Sequence, residues 1–222
     1  MKFEIAECAK TPRISALVSD LFEKMPQIEH YRAVLYTESF RATEGEPIVL
    51  RKAKAFYNVC KNIPIVIRRG ELIVGANSVA PRSCPTFPEF SFEWLESEFD
   101  TVATRAADPF EISEESKAAL REVHKYWRGK TTSELATSYM APEARRAFEH
   151  NMFTPGNYFY NGVGHVTVKY GEVLSGGLDS VIARAASELG KASVADADYA
   201  RRSAILKSVI VACEAVKIYA AR

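Results

Sequence analysis

Thirteen residues, 154–166, cannot continue the helix that most of this 222-residue chain is patterned to form. They carry Pro155, three glycines (Gly156, Gly162, Gly164), two asparagines (Asn157, Asn161), three consecutive aromatics (Tyr158, Phe159, Tyr160) and His165. Glycine permits backbone angles that other residues avoid and lets another group approach the main chain closely. A loop of this kind, ending in a titratable imidazole, is one against which a small polar molecule could be held. The alternative for His165 is a core histidine whose nitrogens are satisfied by backbone. For the aromatics and amides it is packing and capping of loop carbonyls.

Either side of that loop the apolar residues recur at helical spacing. Thr11-Pro12 supplies a cap and a proline at the first helical position, and Ile14, Leu17, Val18, Leu21, Phe22 and Met25 follow before Pro26. Further helices are predicted over 28–43 and 48–62. The only β signal is 63–67 and 72–74 flanking Arg68-Arg69-Gly70-Glu71, which reads as a tight hairpin. Residues 76–89, with Pro81, Pro85 and Pro88, are too irregular for either regular structure and read as a functional or partner-ordered connection. A short aromatic helix over 90–99 follows. Another begins at Ser113 with acids in its first turn, and Thr131-Thr132-Ser133-Glu134 has capping-box spacing. Pro142 opens a helix to about residue 151, and 170–189 and 196–222 complete the pattern. The fold class is therefore mainly α with a short β-hairpin, and residues 1–10 read as a flexible N-terminus. The last helix meets no glycine or proline stop, which suggests part of a longer chain rather than a helix that docks and ends.

Composition excludes several functions. A net charge of +1 offers no electrostatic case for nucleic acid or an anionic membrane, and no apolar run reaches the length of a spanning helix. Cys8, Cys60, Cys84 and Cys213 are scattered, without spacing for zinc or a disulfide framework, so no metal site is expected and thiols in a reducing cytoplasm are. His30 and His124 lie in helical stretches beside charges and read as solvated or capping. His150 reads as surface, and Arg68-Arg69 and Arg201-Arg202 read as solvated charge pairs. Glu89 reads as a buried carboxylate holding the proline-rich segment, with a substrate contact the lesser reading.

Several stretches together resemble the N-terminal region of glycyl radical enzymes of the pyruvate formate-lyase type. They are Arg32-Ala33 with Thr37-Glu38-Ser39, Arg51-Lys52-Ala53, Glu71-Leu72-Ile73-Val74-Gly75, and Arg82 with Phe87-Pro88-Glu89. Asp108-Pro109-Phe110-Glu111-Ile112-Ser113-Glu114-Glu115 and Tyr126-Trp127-Arg128-Gly129-Lys130 complete the series. Within that family, 134–140 and the Asn161-Gly162-Val163-Gly164-His165 loop are most similar to coenzyme-B12-independent glycerol and 1,2-propanediol dehydratases. The resemblance implies that residues 1–222 are the front of a ten-stranded α/β barrel wrapped in helices. The family's reactive-cysteine loop (Gly-Cys-Val-Glu type) and radical-glycine loop (Arg-Val-x-Gly-Tyr type) have no counterpart here, so this chain alone is expected to be inactive.

The implied reaction removes water from a vicinal diol in anaerobic metabolism. Hydroxide leaves poorly, so an acid or strong donor is needed as it departs, and histidine's pKa suits that task. The resemblance makes His165 the catalytic and substrate-binding residue. Asn157, Tyr160 and Asn161 are candidate substrate contacts, Tyr158 could line the same pocket, and Gly156, Gly162 and Gly164 shape the loop. It also implies a homodimer, a cytoplasmic setting (free or in a bacterial microcompartment), and a glycyl radical installed by an S-adenosylmethionine/iron–sulfur activating enzyme. No cofactor is expected on this segment. Two other readings stand beside this one: a non-catalytic helical interaction module, and a related lyase acting on choline, isethionate or hydroxyproline.

Overall fold

A computed structural model describes residues 11–76, 78–153 and 166–222. The sequence signals that stop or start helices account for most of its elements. Thr11 Oγ1 accepts the Ile14 N–H at 3.3 Å and Pro12 opens α1 (Pro12–Glu23). Gly45 takes φ +88° in the turn between α2 (Tyr31–Ala42) and α3 (Ile48–Asn62). After α4 (Glu93–Ser97) and a 3-10 turn (Val102–Thr104), Ser113 caps α5 (Glu114–Trp127). The capping box forms as expected at the head of α6 (Thr132–Ser138): Thr131 Oγ1 accepts the Glu134 N–H, and Glu134 Oε2 accepts the Thr131 N–H. Then come α7 (Pro142–Glu149), α8 (Tyr170–Lys191) and α9 (Tyr199–Ala220).

The sheet is not the one expected. Gln27–Glu29 (β1) leaves the start of the predicted second helix and pairs in parallel with Ser83–Pro85 (β2), inside the stretch expected to be irregular. Glu111 extends this pairing, donating its N–H to Pro26 and accepting that of Ile28. Residues 63–67 and 72–74 form no strands. Pro64 has no N–H to give, and a lone two-stranded ribbon is marginal without a surface to bury. Leu72, Ile73 and Val74 accordingly lie exposed, Ile73 at 94%. The turn between the runs survives as a Glu71 N–H to Arg68 carbonyl bond of 3.1 Å. Arg68 is not a solvated charge: its guanidinium donates to the carbonyls of Val79 and Ala80 at 2.9 and 2.7 Å. Glu29 takes the N–H groups of the same two residues at 2.7–3.1 Å. Side chains thus satisfy both sides of a backbone segment that has no strand partner.

One core joins α2, α4 and α5, with Tyr36, Phe40, Phe92, Leu95, Leu120 and Trp127 all buried. Trp127 Nε1 donates to Thr37 Oγ1 at 2.8 Å, and that hydroxyl donates to the Ala33 carbonyl at 2.7 Å, so the indole is buried without an orphaned N–H. α9 packs along α3 and α8. The Arg222 guanidinium reaches back to the carbonyls of Cys60 and Ile63, each at 2.9 Å, and closes the C-terminal end of α3. α8 bends at Gly177, whose φ +67°, ψ 174° lies in a region open essentially to glycine alone. The described residues are mainly helical with this small parallel sheet.

Candidate functional site

His165, Asn157, Tyr158, Tyr160, Asn161, Gly156, Gly162 and Gly164 all lie outside the described residues. What flanks their loop is described. On one side α7 ends at exposed His150, and Asn151 turns the chain with φ +56°. On the other, Val166, Val168 and Tyr170 are exposed and lead into α8, where Gly177 redirects the helix.

The end of the proline-rich segment is anchored by an ion pair. Arg32 Nη1 donates to Glu89 Oε2 at 3.1 Å and Nη2 to Oε1 at 2.5 Å, with both side chains largely buried. A third donation goes to the Thr86 carbonyl at 3.1 Å, and the guanidinium carbon sits 3.9 Å from the Phe87 ring centre and 4.5 Å from that of Tyr36. The flat, five-donor fork suits a site that must hold carboxylate, carbonyl and aromatic face together. Burial, together with the Glu89 carboxylate, pushes the Tyr36 phenol well above its ordinary range, so it stays neutral. The backbone beyond is held in turn: Thr132 and Ser133 N–H groups donate to the carbonyls of Glu89 and Phe90. Glu89 is therefore the buried clamp of this segment.

Two histidines depart from their sequence reading. His30 stands at the start of α2 but makes no cap; its Nδ1 pairs with Ser116 Oγ at 2.9 Å, tying α2 to the first turn of α5. His124 is not solvated at all, with 1% exposure, stacked on Phe92 at 4.4 Å between ring centres. Its Nδ1 makes no hydrogen bond, and Glu96 Oε2 stands 3.7 Å away. Desolvation outweighs the attraction of Glu96 and lowers the imidazole pKa from 6.5 to about 4. The signal was in the sequence: His124 lies four residues after Leu120 and three before Trp127, on the face that α5 buries. Arg202 pairs with Glu188 at 2.9 Å, and Arg201 is exposed. Among the described residues no three His, Cys, Asp or Glu side chains converge as a metal site would require.

With this architecture in view, the class is defined: the chain belongs to the pyruvate formate lyase-like family, whose model matches residues 8–222. Among solved structures it superimposes on one from a study of 1,2-propanediol dehydration in Roseburia inulinivorans, with TM-score 0.91 and 57% identity over 99% of this chain and 26% of that one. It also superimposes on the glycerol-bound B12-independent glycerol dehydratase of Clostridium butyricum, with TM-score 0.91 and 48% identity over 98% of this chain and 28% of that one. The (2S)-3-sulfopropanediol dehydratase of Klebsiella oxytoca is 30% identical over 216 residues, 95% of this chain and 26% of the relative. The chain thus spans about a quarter of the length of the relatives it matches.

Proposed function

We propose that these residues form the N-terminal part of a glycyl radical diol dehydratase acting on glycerol or 1,2-propanediol. The observation that carries this reading is the near-complete overlap with two structures, one of a glycerol dehydratase and one concerned with 1,2-propanediol dehydration, both at TM-score 0.91. Identity falls to 30% or below for the relatives that act on sulfonated substrates.

The chemistry divides between segments. The cysteine and glycine loops that carry radical chemistry in this family have no counterpart in these residues, so no step of hydrogen abstraction is assigned to them. The part assigned here is His165, as the donor that hydrogen-bonds a diol hydroxyl and protonates it as it leaves, with Asn157, Tyr160 and Asn161 as further contacts. The barrel, the homodimer and the activating-enzyme partner belong to the same reading, as does a cytoplasmic or microcompartment setting.

The test uses the enzyme carried to the length of its relatives and activated without oxygen. His165→Ala should lower diol dehydration by roughly 10²–10⁴-fold, the usual scale of a positioned acid, while the glycyl radical signal in electron paramagnetic resonance is retained. Unchanged turnover would remove His165 from the chemistry. Wild-type enzyme that carries the radical yet leaves both diols untouched would overturn the substrate class.

A further inference from the structure

Glu172 and Arg184 lie far apart along α8, yet their side chains meet in an ion pair. On a straight helix they would stand about 18 Å apart along the axis and about a third of a turn apart around it, beyond the combined reach of the two side chains. They meet because the helix axis turns at Gly177 (φ +67°, ψ 174°). Two adjacent glycines specify that turn. Gly177 supplies the backbone angles, and a Cβ at Gly176 would lie 2.6 Å from Ser180 Oγ and 3.0 Å from Ser180 Cβ. Ser180 Oγ is itself engaged, donating to the Gly177 carbonyl at 2.9 Å.

The two arms of the kink are held differently. The arm after Gly177 is tied to the body of the molecule: Ala185 is buried, Asp179 pairs with Lys217 of α9 at 2.6 Å, and Glu188 pairs with Arg202 at 2.9 Å. The arm before it shows Tyr170 and Leu174 to solvent, and Glu172 bridges it to Arg184 while also holding Lys169 at 3.3 Å. Arg184 and Lys169 keep the Glu172 carboxyl below the ordinary carboxylate range, so it is charged at neutral pH. In sequence His165 precedes Lys169 by a single helical turn's worth of chain. We infer that the Glu172–Arg184 brace across the Gly176-Gly177 kink is a positioning device for the chain that leaves the His165 loop, holding His165 where it can protonate the departing hydroxyl. This rests on the role proposed above for His165.

The test again uses the enzyme carried to the length of its relatives and activated without oxygen. Because the pair is partly exposed, its loss should leave the unfolding temperature and the glycyl radical signal unchanged. Glu172→Gln should lower kcat for the diol at least about fivefold with KM nearly unaltered, the mark of an interaction realised in the transition state. Arg184→Glu, which sets two carboxylates against each other, should lower kcat at least about tenfold, and adding Glu172→Lys should restore most of that loss. Glu188→Gln, which breaks the exposed pair with Arg202 farther along the same helix, should stay within about twofold of wild type. In a His165→Ala background Glu172→Gln should cost nothing further, because a positioning residue acts only through the group it positions. Wild-type turnover in Glu172→Gln beside a slow His165→Ala would overturn the brace and leave the diol reading intact. Wild-type turnover in His165→Ala would overturn the role of His165 and the brace with it. Losses that add fully in the double variant, or an equal loss in Glu188→Gln, would show general damage to α8 and overturn the brace.

Discussion

Removing one partner of the Arg32–Glu89 pair leaves the other charge buried beside Tyr36 and Phe87. Glu89→Gln or Arg32→Met alone should therefore cost roughly 3–5 kcal/mol in urea unfolding. The double variant Arg32→Met with Glu89→Leu should lose much less, because no orphaned charge remains. If the double loses as much as the sum of the singles, the two side chains are not coupled and the cost of each single does not come from an orphaned charge. His124 makes a second prediction at this scale. Its pKa is about 4 when folded and 6.5 in the ordinary state, so the unfolded chain takes up the proton first as pH falls. Stability from the neutral imidazole is complete above about pH 6.5 and is lost down to about pH 4, a span of roughly 3 kcal/mol. Unfolding free energies between those pH values should slope more steeply for wild type than for His124→Phe, and equal slopes would contradict a buried neutral histidine.

Elements that announce their own ends were legible in the sequence. Pro12, Pro142, the Ser113 cap and the Thr131–Glu134 box each act within one helical turn, and the structure starts a helix at each. What distant packing decides was not legible. Residues 63–74 alternate like a hairpin, yet the pairing that forms is β1 with β2, more than fifty residues apart. Ile28 is drawn into the core, and the Arg32–Glu89 pair fixes the segment that follows β2. The proposed site was legible only as a resemblance centred on His165. His124 was overlooked because its charged sequence neighbours obscured the apolar face it shares with Leu120 and Trp127. The kink in α8 yields a prediction of its own. Gly177→Ala forces a side chain into φ +67°, ψ 174° and should destabilise by roughly 1–3 kcal/mol. Gly171→Ala, in the first turn of the same helix with open space around it, should be neutral or stabilising by up to about 1 kcal/mol. Similar effects at the two positions would mean that α8 can straighten.

Over the whole molecule the buried core is concentrated around α2, α4 and α5, and much apolar surface is left uncovered. Leu72, Ile73 and Val74 are exposed, as are Ile48 and Phe56 on α3 and Tyr170 and Leu174 on α8. Exposed apolar groups gathered into patches of several hundred Å2 drive association. The 222-residue chain should self-associate in sedimentation velocity at micromolar concentration, and Ile73→Lys with Leu174→Glu should shift it toward monomer. A wild-type chain that stays monomeric would show that these side chains do not form a cohesive surface.

The contact between Arg222 and the end of α3 joins residues 162 apart in sequence. A ribosome adds roughly 5–20 residues per second, so α3 waits on the order of ten to thirty seconds for the arginine that closes it and for the helix that covers its face. Helix α3 thus leaves the exit tunnel well before the residues that close and cover it. In the cell, that delay makes its uncovered face a natural client for a holding chaperone.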